Sequence, residues 1–465
     1  MPFRTESPDP ARRRVLKGMV AAGSALLPGA TLAGRESPAF EPDVPRAAAE
    51  ASTADPPAWV VRPRSQTELR QALRHGAGPV RPVGAARSET ALYATPGTHL
   101  DLRGLQGVVG WNDALQRVRV RAGTSLAALG ELLAANGWAL PVTGDDDSCT
   151  IAGACATAMH GAAASHTAIS GSVTAVQLMT VAGELLEISE RENPELRPAL
   201  ACSLGTLGVV TEIELAVEPL QYLREEFMRV DADDALRQFP SIIESNRHAE
   251  LWLFSHGDTG VLRRLNPASA ATEPDESGAG ERRRRVQQLM MQLGESVPPL
   301  EGILQPVLPW LLTPPQRLEH SYRLLPRPAA VPYRALEYAL PLRRANDAID
   351  ELRALLRREE TRLMLPMVLR PVAEDDGWIS PYYRQASMTV RLAQGRGRPH
   401  EALFARAEAI LARHGGRPHW GLWHRQDART LSEMYPRWDD FRRLRARLDP
   451  QMRLLSKPLR RMLGA

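Results

Sequence analysis

The residues whose types and spacing suit them to chemistry are mostly small. Residues 151–161 read Ile-Ala-Gly-Ala-Cys-Ala-Thr-Ala-Met-His-Gly, a run that includes Gly153, Ala156 and Thr157 and ends in His160-Gly161. It has almost no side-chain volume to bury, so it does not read as an ordinary core helix. Bare backbone of this kind lets N–H groups approach a large flat ligand or cradle an anion. Thr143-Gly144-Asp145 comes before it, and Ser203-Leu204-Gly205-Thr206-Leu207-Gly208, followed by Val209, has the same character. Together these loops look like the wall of a dinucleotide site. No G-x-G-x-x-G fingerprint between a strand and a helix is present, so a doubly wound nucleotide fold is not indicated. The cysteines are Cys149, Cys155 and Cys202. They are too few and too irregularly spaced for a disulfide framework or a zinc site. They read as packing residues, and no metal site is expected.

The elements that must carry these loops alternate between helices and strands. Ser65-x-x-Glu68 is a capping box opening a helix with Leu69, Ala72 and Leu73 on one face and Gly76 at its end. Val118 and Val120 alternate with arginine over residues 116–121, as in a half-buried strand. Thr124 or Ser125 caps a helix carrying Leu126, Leu129 and Leu133, which Gly137 stops. Residues 173–180 and 184–188 flank an Ala-Gly turn as a hairpin, and residues 212–218 alternate again. A second α+β unit follows from residue 221. Its order is strand (336–340), helix (344–358), strand (362–372), strand (386–393) and helix (401–414), a ferredoxin-like split unit. Residues 435–463 read as Arg-rich helix broken by Pro450 and Pro458, and no internal repeat is evident.

At 465 residues the chain is too long for one compact core. Its net charge of +4 comes from scattered arginines, so nucleic acid is not implied. The run Arg282-Arg283-Arg284-Arg285 follows a polar stretch and reads as a solvated loop tip. No apolar run reaches the roughly 20 residues of a membrane helix. Arg12-Arg13-Arg14-Val15-Leu16-Lys17, with the weakly apolar residues 18–32 behind it, matches the twin-arginine export pattern. The expected layout is a signal peptide over residues 1–33, a disordered linker over 34–57, a ligand-binding domain over 58–220 and a second domain over 221–465. The expected location is periplasmic or secreted.

With these residues in view, the chain resembles flavin oxidases of the vanillyl-alcohol oxidase type, in the sugar-lactone and alditol oxidase branch. The resemblance rests on Arg81-Pro82-Val83-Gly84-Ala85-Ala86-Arg87-Ser88, on residues 151–161 and on Ser203 to Gly208 with Val209-Val210-Thr211. In the second half it rests on Glu337-Tyr338-Ala339-Leu340-Pro341, on residues 376–383, on Gly415-Gly416-Arg417-Pro418-His419-Trp420-Gly421 and on Leu448-Asp449-Pro450. The fold it implies is α+β: a two-subdomain FAD-binding domain plus a C-terminal cap with a ferredoxin-like core. The ligand it implies is FAD, held by Gly84, Ala85, Ala86, Arg87, Ser88, Gly144, Gly153, Ala156, Thr157, His160, Gly161, Ser203, Gly205, Gly208 and Val209. The implied chemistry is oxidation of a CH–OH group, with hydride passing to the flavin and electrons to oxygen or an external carrier.

The chain departs from the family pattern at four positions. Arg87 stands where many relatives carry the histidine that bonds the flavin, so FAD is expected to be non-covalent. Pro366-Met367-Val368-Leu369-Arg370 keeps the arginine of a P-x-E-x-R pattern and loses the carboxylate. Leu422 follows His-Trp-Gly where lysine is usual, and Ala162 follows His160-Gly161 where a hydroxyl residue is usual. These losses predict a less polar pocket that binds simple lactones and alditols poorly, because an unpaired buried hydroxyl costs roughly 1–3 kcal/mol. Arg370 and His419 remain as candidate catalytic residues. Arg370 can orient a carbonyl or anionic group, or serve only as an ion pair. His419 and His424 can act as base or hydrogen-bond donor, His160 supports the flavin loop, and Tyr382 and Tyr383 pack. The alternative reading is a flavin-binding protein without turnover, such as a sensor or assembly partner.

Overall fold

The computed structural model describes residues 57–76, 78–255, 257–269, 308–327, 332–358, 363 and 365–465. The twin-arginine segment, nearly all of the linker and Arg282 to Arg285 lie outside the described residues.

The N-terminal half holds two sheets. β1 (Trp59–Val61), β2 (Val80–Val83) and β3 (Thr98–Asp101) form a parallel sheet with β3 in the centre. α1 (Gln66–His75) crosses from β1 to β2. Ser65 caps it by accepting the Glu68 N–H, while the Glu68 carboxylate reaches back to the amide of Arg64. Leu69 and Leu73 bury its inner face against Val80, Leu100 and Val209.

Next come β4 (Val108–Asn112), β5 (Arg117–Arg121), α2 (Leu126–Ala134), β6 (Trp138–Ala139), α3 (Ile151–Ala156), β7 (Val173–Met179), β8 (Leu185–Ile188), β9 (Val209–Ala216) and β10 (Glu218–Pro219). Strands β4-β5-β9-β7-β8, in that order, make an antiparallel sheet, and β6 pairs with β10. Ser125, rather than Thr124, caps α2. The small-residue stretch begins as a true helix. Thr150 caps α3 through the Gly153 N–H, and Ile151, Ala154 and Cys155 are buried. The small side chains fit one face into a tight core and leave Ala152, Gly153 and Ala156 half-exposed on the other.

The C-terminal half is built on β11 (Tyr222–Asp231), α4 (Ala232–Ser245), β12 (His248–Leu253), β13 (Thr259–Ala268), β14 (Arg317–His320), β15 (Tyr333–Pro341), α5 (Leu342–Arg358), β16 (Met367–Val372), β17 (Ser387–Gly395), α6 (Glu401–Arg413) and β18 (Arg417–Pro418). One antiparallel sheet runs β14-β11-β13-β12-β16-β17-β15-β18. It consists of two ferredoxin-like units. β11 to β14 lie in the order fourth, first, third, second, and so do β15 to β18. The units join through their second strands, β12 and β16, with Leu251 opposite Leu369. The structure therefore contains an internal repeat that the sequence does not display. α4, α5 and α6 cover one face, where Leu251, Leu336, Leu369 and Val390 are buried.

Alternation along the strands sends the intervening residues to the other face. Strand register aligns Val261, Trp252, Val368, Arg391 and Glu337 in one row across that face. The Arg-rich tail is three helices, α7 (Ala428–Met434), α8 (Trp438–Leu448) and α9 (Lys457–Leu463). Pro458 starts α9 rather than breaking it. Tyr435, Trp438, Phe441, Leu455 and Leu459 pack with Ala158, Val176 and Leu204 of the N-terminal half.

Candidate functional site

The small-residue loops meet. A Cβ on Gly84 would overlap Thr150 Oγ1, one on Gly144 would overlap Met159, and one on Gly161 would overlap Val142. Glycine at these positions is thus required by loop-on-loop contact. The third loop joins through Leu204 N–H, which donates to Ala156 O at 3.0 Å. Arg81, fully buried, donates to the carbonyls of Leu204 (2.8 Å), Gly205 (2.9 Å) and Leu454 (2.5 Å). Burial pulls its pKa down to about 9 against the opposing charge of Asp449.

Each loop contains a left-handed residue: Ala86 (φ 53°), Ala158 (φ 55°) and Leu204 (φ 53°). A left-handed alanine or leucine is strained, and such strain turns successive N–H groups into one concavity. Among the described residues, the amides of Gly84, Ala85, Ala86, Arg87 and Ser88 donate to no carbonyl. The buried hydroxyls of Thr143 and Ser170 also have no partner. A cleft of about 390 Å³ borders the second and third loops, with Ala152, Cys155, Ala156, Ser170 and Ser203 in its wall. That small-residue cleft, and the unused donors of the first loop, fit a dinucleotide cofactor. The side chain of Val209 points elsewhere, into the core under the parallel sheet, and Gly208 packs on Leu178. Arg87 points outward and pairs with Asp146 at 2.6 Å.

The cap sheet presses on these loops from the opposite side. Glu337 on β15 accepts from His160 Nε2 at 2.5 Å, and His160 Nδ1 lies 2.8 Å from Gly161 O. Both ring nitrogens of His160 thus face oxygen atoms, the Gly161 carbonyl and the Glu337 carboxylate. Burial alone would raise the Glu337 carboxyl, yet His160, His419 and Arg391 hold it well below the usual carboxylate range. The first loop docks on the same strand, where the Ala335 N–H donates to Glu89 at 3.0 Å. Burial pushes Glu89 up to about 7.

Arg370 sits buried at an ionic junction. Its Nη2 lies 2.7 and 2.8 Å from the Asp145 carboxylate oxygens and 3.4 Å from Glu250. Arg391, from the neighbouring strand, reaches the same carboxylate at 2.6 Å. Despite burial, the two guanidiniums hold Asp145 well below its ordinary range. Val368 itself packs with Trp252, Phe254, Val261 and Leu308. Carboxylates from other elements, Asp145, Glu250 and Glu337, surround the two arginines, each already paired with a cation or histidine. Asp145 stood in a loop already singled out, and Glu337 in a matched motif, but their convergence on Arg370 and Arg391 depends on strand register that no local pattern reveals.

His419 is buried. Its Nδ1 accepts the Gly421 N–H at 3.2 Å, which leaves the proton on Nε2. Burial lowers its pKa to about 4, against the pull of Glu337, so the neutral ring is a donor and a weak base. His424 is buried with neither nitrogen partnered and packs edge-on against Trp420. Burial lowers it to about 3, which fits a packing role. Tyr382 packs edge-on against His160. Among the described residues no cluster of metal-ligating side chains occurs, and no helix is long and apolar enough to cross a membrane.

Fold and loops together define a two-domain FAD-dependent oxidoreductase. An FAD-binding domain family matches residues 57–189, and the D-arabinono-1,4-lactone oxidase family matches residues 213–462. The chain belongs to this lactone oxidase family. It is 31% identical over 416 residues to an L-gulono-1,4-lactone dehydrogenase of Mycobacterium tuberculosis, covering 88% of this chain and 96% of the relative. It is 24% identical over 421 residues to the L-gulonolactone oxidase of Bos taurus, covering 87% and 95%. A crystal structure of cholesterol oxidase from B. sterolicum shares the fold, with a TM-score of 0.72 at 14% identity over 87% of this chain and 94% of that one.

Proposed function

We propose that this protein oxidises a CH–OH group of a sugar 1,4-lactone. The observation that carries the reading is the near full-length similarity to an L-gulono-1,4-lactone dehydrogenase. The charged face of the cap sheet supports it. Bound FAD supplies the two-electron acceptor. The chain's own residues hold and orient. The strained loops around Ala86, Ala158 and Leu204 present unused amides to the pyrophosphate. The Glu337–His160 hydrogen bond ties the cap to the second loop, and His419 offers Nε2–H as a donor. Arg370, paired with Asp145, fixes the cap on the loop of residues 143–145.

The purified yellow protein should bleach anaerobically with L-gulono- or D-arabinono-1,4-lactone and not with cholesterol. Recolouring under air or with a dye identifies the electron acceptor as oxygen or an external carrier. A holoprotein that no sugar lactone bleaches would sink this reading in favour of a flavin-binding protein without turnover. Because Arg87 offers no histidyl nitrogen, FAD is held non-covalently; acid precipitation should release all the colour, and fluorescence left on the denatured band would refute it. We further propose twin-arginine export from Arg12 and Arg13, tested by whether their replacement with lysine traps the precursor inside the cell.

A further inference from the structure

Three polar groups where the cap sheet meets the loop of residues 143–145 have bonding capacity to spare. Asp145 accepts two contacts from Arg370 and one from Arg391, which leaves lone-pair room on its carboxylate. Arg391 uses one terminal nitrogen on Asp145 and stands 4.0 Å from Glu337 through Nε, so other donors remain. Tyr333, at the start of β15, has a hydroxyl without a partner among the described residues, although Asp145, Arg391 and Glu89 all act on it electrostatically. Behind them, Arg370 Nε is buried and unpaired. The side chains of Asp145 and Arg391 keep 17% exposure, while those of Arg370 and Glu250 keep 5% and 4%. The open edge of the ionic junction is therefore Asp145 and Arg391.

We propose that Asp145, Arg391 and Tyr333 form the wall that reads the hydroxyls of the lactone, with Asp145 as the specificity-determining residue. The inference rests on the lactone reading above. Spare donors and spare acceptors side by side suit hydroxyl groups, each of which does both. The charges also select for neutrality. With the buried Arg263 and Arg327 included, four guanidiniums face the carboxylates of Asp145, Glu225, Glu250 and Glu337, so the junction is balanced without a ligand carboxylate. The closed lactone fits and the open-chain acid does not. Val368 lies opposite Arg391 in register and two residues before Arg370, so a carboxylate placed there would reach the same guanidiniums.

The test compares kcat/KM for a sugar 1,4-lactone and for its deoxy analogue lacking one hydroxyl, in the holoenzyme. Asp145→Asn should lower kcat/KM for the full lactone about tenfold or more, mainly through KM. It should also shrink the discrimination against the deoxy analogue to within about threefold. Adding Val368→Glu to Asp145→Asn should restore part of that discrimination. Tyr333→Phe keeps the packing and should erode discrimination with FAD occupancy unchanged, which keeps the proposal testable if Asp145→Asn misfolds. An ion pair with a purely structural role would slow both substrates equally. An unchanged ratio in Asp145→Asn and Tyr333→Phe, with wild type bleached by lactone, overturns this proposal alone. Failure of wild type to bleach overturns the lactone reading and this proposal with it.

Discussion

Arg81 ties together pieces of chain that lie far apart in sequence. Its guanidinium serves two carbonyls of the third loop and one of the C-terminal segment, all out of water. Arg81→Met would leave Leu204, Gly205 and Leu454 carbonyls unpaired at roughly 1–3 kcal/mol each. The expected outcome is a loss of about 3 kcal/mol or more in chemical denaturation, and a weaker FAD complex in a cofactor titration. Arg81→Lys should recover only part, because one ammonium cannot fork to three carbonyls. Glu89 gives a pH signature. Its carboxyl titrates near 7 when folded, chiefly because it is buried, and near 4.5 when unfolded. Between those values the folded state holds a proton that the unfolded state releases, so stability falls as pH rises from 4.5 to 7. Glu89→Gln keeps the acceptor for the Ala335 N–H and removes the charge. It should stabilise the protein by about 3 kcal/mol at pH 8 and change little at pH 4, measured as denaturation midpoints. At this scale the sequence was uneven as a guide. Small residues advertise a cofactor by themselves. Asp145, Arg391, Glu337 and Tyr333 do not, because an isolated charged residue or a strand tyrosine reads as surface until its neighbours are known.

The elements repeat that lesson at larger size. Hydrophobic alternation and capping residues locate β5, α2, β7, β8, β17 and α6 to within a few residues, since those signals are local, but they do not single out β11, α4, β12, β13 or β14. The pairing of β12 with β16, which makes two ferredoxin-like units into one sheet, depends on contacts across more than a hundred residues and leaves no period in the sequence. Residues 151–156 show the limit of composition as a guide. A run too small to fill a core still forms α3, because Thr150 caps it and its neighbours close in tightly. That closeness is testable. Gly84→Ala places a methyl group on Thr150 Oγ1 and must move either the first loop or the cap of α3. FAD affinity should drop about tenfold or more, while the circular dichroism spectrum stays native. Adding Thr150→Ala removes the clash at the expense of the cap, worth about 1 kcal/mol. The double variant should therefore bind FAD better than Gly84→Ala but be less stable than wild type. Additive losses in both measurements would show that the two residues do not oppose each other.

For the molecule as a whole, the C-terminal helices decide whether the two halves unfold separately or together. Trp420 follows His419 in the cap and stacks with Tyr435 and Trp438 at 5.5 and 6.4 Å between ring centres. Phe441 lies fully buried in the same cluster, which also holds Val372 from β16 and Val176, Leu200 and Leu204 from the FAD-binding half. Asp449 adds a polar lock. Its carboxylate accepts the Arg453 and Leu454 amides at 2.9 and 2.8 Å and so presents Leu454 O to Arg81. The apolar seam and the Arg81 junction thus link the tail to the loops that receive FAD. Phe441→Ala opens a cavity in that seam and should cost about 3–5 kcal/mol. Because the seam belongs to both halves, wild type should melt in one cooperative transition whose midpoint rises with added FAD. Phe441→Ala should lower that midpoint and weaken the dependence on FAD, while a cap-core change such as Leu369→Ala should lower the midpoint and leave the dependence intact. Calorimetry with and without added FAD reads both quantities. Two separate transitions in the wild type, or equal FAD dependence in the two variants, would show that the tail does not couple the cap to the cofactor loops.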